Sequence, residues 1–155
     1  MQLVMAVSTD GFVAKHDHDD MAWTGRVDKS IFKLLTYSKD VGAGSTTYEL
    51  MKDLKLPHRR LHRLSRDGMN LHTFCRLFPA GILIGGLTLA EAALEFGLLD
   101  SVILSHVPAV LGGGIKLPDK FLLQSKDVEI IKFDVGANYV EVLFYDNGNT
   151  SGRDL

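Results

Sequence analysis

Asp28 and Phe32 lie four residues apart, just after Trp23-Thr24-Gly25. On a helix that spacing puts a carboxylate and an aromatic ring on one side. A carboxylate partly buried in apolar surroundings has a raised pKa and can bind or relay a proton. The position also suits a helix N-cap, a role Asp fills well, and the residues alone favour that reading. A different chemistry is suggested by Gly42-Ala43-Gly44-Ser45-Thr46-Thr47 and by Ile84-Gly85-Gly86-Leu87-Thr88. Each reads as a strand running through glycine into a helix. The exposed N–H groups and dipole of a helix N-terminus favour an anion such as phosphate. Two such junctions in one domain suggest a dinucleotide, with tight strand–helix packing as the alternative. Neither is a P-loop, because no Gly-Lys-Ser/Thr follows, and neither carries the GxGxxG fingerprint.

His58, Arg59, Arg60, His62 and Arg63 form a basic cluster. It reads either as a solvated face or as a clamp for a carboxylate or phosphate, which guanidinium forks hold bidentately. His16-Asp17-His18 has metal-ligand residue types, but no third ligand group of convincing spacing follows. A solvated loop is the expectation there, and no metal is assigned. Cys75 is the single cysteine, which excludes an internal disulfide and a CxxC zinc site. It reads as a small buried hydrophobe. Met21 and Met51 suit either a pocket lining or the core.

These groups need strands and helices to position them. Residues 2–7 predict a buried strand, and Phe12-Val13-Ala14 a second short piece beyond the turn Thr9-Asp10-Gly11. A helix over 28–37 follows, with Ile31, Leu34 and Leu35 as its core face, then a strand over 41–44 and a helix over 46–54. Residues 57–74 read as irregular, with at most a strand near 60–65. Residues 81–84 predict a buried strand. Thr88-Leu89-Ala90-Glu91 has the form of a capping box opening a helix through Phe96, and Gly97 supplies the stop. A strand over 101–107, a glycine-broken loop over 109–117 and a hairpin of strands over 128–133 and 139–145 complete the pattern. This alternation predicts one α/β domain over 1–146, with a mixed, mainly parallel sheet, an antiparallel C-terminal hairpin and flanking helices. Residues 147–155 are expected to form a disordered tail. Ligands of such sheets bind beyond the carboxyl ends of the strands, which is where the glycine clusters fall.

Composition narrows the partners. The 155 residues carry 17 Lys+Arg against 19 Asp+Glu, a net charge of −2, which gives no electrostatic case for nucleic acid or a membrane surface. A hydrophobic content of 46% with 23% charged residues is that of a globular chain rather than a disordered one. The longest apolar stretch, 80–104, is broken by Glu91, Glu95 and Asp100, so no spanning helix is expected. No basic leader precedes the first strand, and a cytoplasmic location is the expectation.

Further segments carry a likeness. They are Met5-Ala6-Val7-Ser8-Thr9-Asp10-Gly11-Phe12-Val13-Ala14; Met21-Ala22-Trp23 with Asp28 five residues on and then Phe32; and Gly44-Ser45-Thr46-Thr47-Tyr48-Glu49. Leu56-Pro57-His58-Arg59, Leu64-Ser65-Arg66 and Ile84-Gly85-Gly86 continue it. Together, over residues 3–145, they resemble the dihydrofolate reductase superfamily, which joins dihydrofolate reductase to the reductase domain of riboflavin biosynthesis. The resemblance implies that family's three-layer fold and NADPH as cofactor. It places Asp28 at the family's single active-site acid, Trp23 on a loop that closes over the pterin, and Ser105 at the threonine behind the acid. Val4, Met5, Phe32 and Met51 would pack on the substrate's rings, and Arg59 would hold its glutamate carboxylate. The cofactor would lie against Ala6, Gly44, Ser45, Thr46, Thr47, Ser65, Arg66, Ile84, Gly85, Gly86, Leu87 and Thr88. Ser45 stands where the family carries an arginine, and Gly97-Leu98-Leu99-Asp100 and Pro108 through Gly114 look more like the riboflavin-type branch.

The function so implied is reduction of 7,8-dihydrofolate to tetrahydrofolate by hydride transfer from NADPH, in a monomer or homodimer. A riboflavin-type reductase of an aminopyrimidine ribosyl phosphate is the alternative. A non-catalytic nucleotide-binding domain is a third.

Overall fold

The computed structural model describes residues 1–54, 57–133 and 136–146. The expected tail, Leu56, and Asp134 and Val135 of the hairpin turn lie outside the described residues. Seven strands form one sheet: β1 (Gln2–Val7), β3 (Asp40–Gly44), β4 (Arg60–Leu64), β5 (Ile82–Ile84), β6 (Ser101–His106), β8 (Asp127–Lys132) and β9 (Tyr139–Phe144). Their order is β4-β3-β5-β1-β6-β9-β8. β4, β3, β5, β1 and β6 run parallel, whereas β9 is antiparallel to both β6 and β8. The mixed, mainly parallel sheet with a C-terminal hairpin is therefore as expected. Two further strands, β2 (Phe12–Ala14) and β7 (Ile115–Lys116), make a small antiparallel pair.

The central strand explains the layering. Leu3, Val4, Met5 and Val7 of β1 are all buried, so both faces of the sheet must be covered. On one face lie α3 (Leu71–Leu77), α4 (Leu87–Glu95) and α5 (Lys120–Leu123), whose Phe74, Ala93 and Phe121 are fully buried with Leu3, Leu83 and Val102. On the other lie α1 (Gly25–Thr36) and α2 (Ser45–Met51), with Ile31, Phe32, Tyr48 and Met51 over Val4, Val41, Ile82 and Ile103.

Several local expectations need correction. α1 begins at Gly25, after a 3₁₀ turn over Ala22–Thr24, so Asp28 sits inside the helix and is not its cap. Asp28, Ile31, Phe32 and Leu35 form its inner stripe, and Leu34 is 79% exposed because it falls roughly a third of a turn off that stripe. Thr88 and Glu91 form no capping box: α4 is capped by Gly86 without a side-chain bond, and Glu91 instead pairs with Lys120. The region over 57–74 contains β4 and the start of α3. Asn70 Oδ1 caps that helix by accepting from Thr73 N at 2.9 Å.

Phe74 holds this end of the sheet together. It is fully buried, its ring centroid is 5.6 Å from His62 and 5.3 Å from Phe78, and a Cβ added at Gly42 or Gly81 would come within 3.0 Å of it. Phe74→Ala is expected to cost about 3–5 kcal/mol. Urea denaturation checks this, and a loss well under about 1 kcal/mol would show that α3 does not anchor β3 and β4.

Candidate functional site

α1 lies across the sheet without sealing it. Its apolar stripe is pronounced, yet Val27, Ile31, Phe32 and Leu35 are only half-buried and Thr36 is its single buried residue. α2 has no buried residue at all. Two helices that leave their inner faces half-buried over the same sheet face mark a candidate cleft. Its floor carries Val4 and Ala6 of β1, Ile84 of β5 and Ser105 of β6. Val4 is in register with Ile84 and Ile103, and Ala6 with Ser105. Met5, expected beside Val4, is a correction. Strand alternation turns it to the opposite face, where it is 6% exposed in the other core.

Asp28 faces this cleft. Burial pushes its pKa above the ordinary carboxyl value, while Ser105, Thr24 and Lys29 pull it partly back. Neither hydroxyl closes a full hydrogen bond to it. Thr24 Oγ1 donates to Met21 O at 3.0 Å and accepts from Lys29 Nζ at 3.1 Å. Ser105 Oγ is the one buried side-chain polar atom without a hydrogen-bond partner among the described residues. A desolvated acid beside an unsatisfied hydroxyl is a costly arrangement that a ligand's N–H and O groups can satisfy.

The loop before α1 is organised by Asp19, which sequence reading passed over because it sits in an acidic run. Its carboxylate accepts from Lys15 N at 2.7 Å, Met21 N at 2.9 Å and Trp23 Nε1 at 2.8 Å. Burial raises the Asp19 pKa, but these donors outweigh it and hold the carboxyl low. Trp23 is thereby fixed by its indole, four residues from the anchor. His16, Asp17 and His18 stay exposed, and no group of three possible metal ligands exists among the described residues. A second anchor, Asp10, accepts from Ser8 Oγ, Leu111 N and Gly112 N, with the Ser8 hydroxyl foremost in lowering its pKa to about 2. It ties the turn after β1 to the glycine loop.

At the far end of α1 the basic cluster divides. Arg60 and His62 both bind Asp40, whose pKa the Arg60 hydrogen bond takes down to about 2. Arg59 donates from Nε to Thr36 Oγ1 and from Nη1 to Pro57 O, each at 2.7 Å, and from Nη2 to Lys33 O. Three of its five donors are used, which leaves two, and none of its partners is a carboxylate.

Along the C-terminal edge, the ends of the adjacent strands β4, β3 and β5 bring Ser65 and Arg66, Gly44 through Thr47, and Gly85 through Thr88 into one row. Gly85 has φ +98°, and a Cβ there would lie 2.3 Å from Thr47 Oγ1. Gly86 N donates to that same hydroxyl at 3.1 Å. The row fits the glycine-cradle reading, with the two junctions locked together. Leu87 departs from it, since its side chain packs into the opposite core. A cavity of about 460 Å³ lies elsewhere, at the N-terminal edge of the strands among Met1, Gly81, Asp100 and Tyr145. It touches none of the expected site residues.

By sequence the chain matches no family model and no curated protein. By structure it is similar to dihydrofolate reductase from Enterococcus faecalis complexed with NADP(H) and RAB-propyl. The TM-score is 0.71 at 15% sequence identity, over 94% of this chain and 96% of that one. This chain has the dihydrofolate reductase fold. In this fold, the cleft, the buried acid and the glycine row described above lie on one side and one edge of the sheet.

The raised pKa of Asp28 has a consequence for stability. The unfolded chain releases this proton first as pH rises, so stability is lost between the ordinary value of 3.8 and the higher folded value. Asp28→Asn stays neutral. It is expected to be more stable than the native protein at neutral pH, with the advantage disappearing in acid below the ordinary value. Urea denaturation at both pH values checks this, and equal stability at neutral pH would place Asp28 in water.

Proposed function

We propose that this chain is an NADPH-dependent reductase that converts 7,8-dihydrofolate to tetrahydrofolate. The observation that carries the reading is the pairing of two unsatisfied ends along α1. Asp28 and the unpartnered Ser105 hydroxyl stand at one end, and Arg59 with two open N–H donors at the other. From Asp28 to Thr36, where Arg59 is fastened, the helix rises about 12 Å. A ligand suited to both ends is long, with a hydrogen-bonding head and an anionic tail. That length favours a folate over an aminopyrimidine ribosyl phosphate. The structural neighbour's NADP(H) supports the cofactor, and the reading includes a cytoplasmic location. Among the described residues no helix is long and apolar enough to cross a membrane.

The residues present fit the cofactor. α4 starts at Gly86 with no side-chain cap, so its first N–H groups are open to phosphate oxygens, and the Gly85 backbone permits close approach. Ser45, Thr46, Thr47, Ser65 and Arg66 would hold it along the same edge, with Ala6, Gly44, Ile84 and Thr88. NADPH, when bound, supplies the hydride. The protein's part is to position the ring, exclude water and manage the proton. Asp28 accepts from the amino and ring N–H groups of the pterin and favours the protonated imine at N5. Phe32, Val4 and Met51 pack on the rings. Trp23, held by Asp19, and Met21 form the lid.

Asp28→Asn is expected to retain NADPH binding while turnover with dihydrofolate falls about 10²-fold or more. The native kcat/KM is expected to change with pH at the raised Asp28 pKa, and the variant's profile to lack that step. Native-like turnover of the variant would remove Asp28 from the reaction. Arg59→Lys keeps the charge but loses the planar fork. It is expected to raise KM for dihydrofolate about 10-fold or more, the scale of a charge-assisted hydrogen bond. A substrate truncated before its glutamate should respond several-fold less, because it feels only the loosened end of α1 and not the lost tail contact. Equal effects on both substrates would mean that Arg59 does not read the tail.

A further inference from the structure

Asp19 is 6% exposed, although its neighbours His16, Asp17, His18 and Asp20 all lie in water. A charge is buried in this way only when donors replace its water. Both of its oxygens are occupied: Oδ2 by Lys15 N at 2.7 Å and Trp23 Nε1 at 2.8 Å, Oδ1 by Met21 N at 2.9 Å. The first donor is a fixed base. Lys15 directly follows β2, which pairs with β7, and Gly114 packs so closely there that a Cβ on it would lie 2.3 Å from Ala14 O. The other two donors belong to the segment that leads into α1. Met21 has φ 62°, and only Ser38 and His58 share a positive φ among the described residues other than glycine. Left-handed backbone at such a residue persists because its surroundings hold it. Here the Met21 N–H is held by Asp19, and the Met21 carbonyl accepts from Thr24 Oγ1 at 3.0 Å. Thr24 in turn is one of the two hydroxyls beside Asp28. Contacts therefore run without a gap from β2 through Asp19 and Met21 to the acid of the cleft.

We propose that Asp19 is a positioning residue, which latches the loop over 15–23 to the β2–β7 pair and so fixes Met21, Trp23 and Thr24 at the entry to α1 before any ligand arrives. That the latch serves the reduction of dihydrofolate rests on the function proposed above. A preset wall spares a ligand the entropy of ordering it. Once the loop is released, apparent affinity falls with the fraction of molecules still in the competent arrangement. The bound complex restores that arrangement, so the loss falls on KM rather than on kcat. Asparagine cannot stand in for the carboxylate. Donors approach both oxygens, so however its amide is turned, the NH₂ group meets an N–H.

Trp23 is the single tryptophan, so its signals report the latch alone. In the ligand-free native protein its indole N–H is expected to exchange with water about tenfold or more slower than a free indole, read by NMR. In Asp19→Asn that exchange should approach the free rate, and acrylamide quenching of the fluorescence should rise several-fold. Asp17→Asn, which removes the same charge from an exposed site, should leave both signals unchanged. With NADPH and dihydrofolate, Asp19→Asn is expected to raise KM about tenfold, the scale of one charge-assisted hydrogen bond, and to leave kcat within about twofold. A native indole N–H that exchanges at the free rate overturns the latch, and this measurement needs no variant to fold. An equal effect of Asp17→Asn overturns it as well, since charge and not the bonds would then be at work. A folded Asp19→Asn with Trp23 released and KM unchanged overturns the positioning role while the folate reading stands. If the native protein turns over no dihydrofolate, yet its indole is protected and is released in Asp19→Asn, the latch stands and the folate reading fails.

Discussion

The grip of Arg59 on the C-terminus of α1 sets the geometry of everything above the sheet. A helix ends in carbonyls without intrahelical partners and a partial negative charge. Arg59 answers both at Lys33 O, and through Thr36 Oγ1, which itself donates to Phe32 O at 2.7 Å. Thr36 is fully buried, so the Thr36 contact is sheltered from water, while the bonds to Lys33 O and Pro57 O are exposed. The other end of α1 is fixed by the 3₁₀ turn and the Asp19 anchor. Pinned at both ends, the helix spans the sheet face without collapsing onto it, and Ile31, Phe32 and Leu35 remain half-buried. The same guanidinium that fastens the helix keeps two donors open. The support and the proposed contact with the substrate's tail are thus one group.

Four carboxylates show how environment, rather than residue type, divides the labour. Asp10, Asp19 and Asp40 each collect donors: backbone N–H groups and a hydroxyl for Asp10, backbone and indole N–H for Asp19, a guanidinium and an imidazole for Asp40. All three are held low and serve as anchors. Their support is present above the ordinary carboxyl range and fades as pH falls through their lowered values. Asp28 alone goes the other way. It is desolvated with too few partners, and Ser105 beneath it has none. A desolvated acid with so few partners is a candidate for a functional role.

Much of this was legible in the sequence. The apolar run of β1, the Ile82–Ile84 strand into Gly85-Gly86, and the two C-terminal strands predicted the sheet because buried parallel strands and hairpins leave strong local signals. The 28/32 spacing placed Asp28 and Phe32 on one helix side. What could not be read has physical causes. Asp28 looked like a cap because Thr24, which ends the 3₁₀ turn, and Gly25, which opens α1, give no strong start signal. α3 was missed because only Leu71 and Phe74 of its seven residues are buried, too few to mark a helical face among His72, Thr73 and Arg76. Thr88 and Glu91 imitate a capping box, but the ion pair with Lys120 claims Glu91. Asp19 was hidden among Asp17 and Asp20, which only the folded loop tells apart. Met5 fell on the wrong face because a resemblance in sequence does not carry the strand's alternation.

The central claim is that α1 holds Asp28 out of water against Ser105. A ¹³C-NMR titration of the Asp28 side-chain carboxyl tests it most directly, in the native protein and in Ser105→Ala. The account requires a midpoint above the ordinary 3.8 in the native protein. It requires a still higher one in Ser105→Ala, where desolvation is less opposed. A native midpoint at or below 3.8, unchanged by Ser105→Ala, would contradict it.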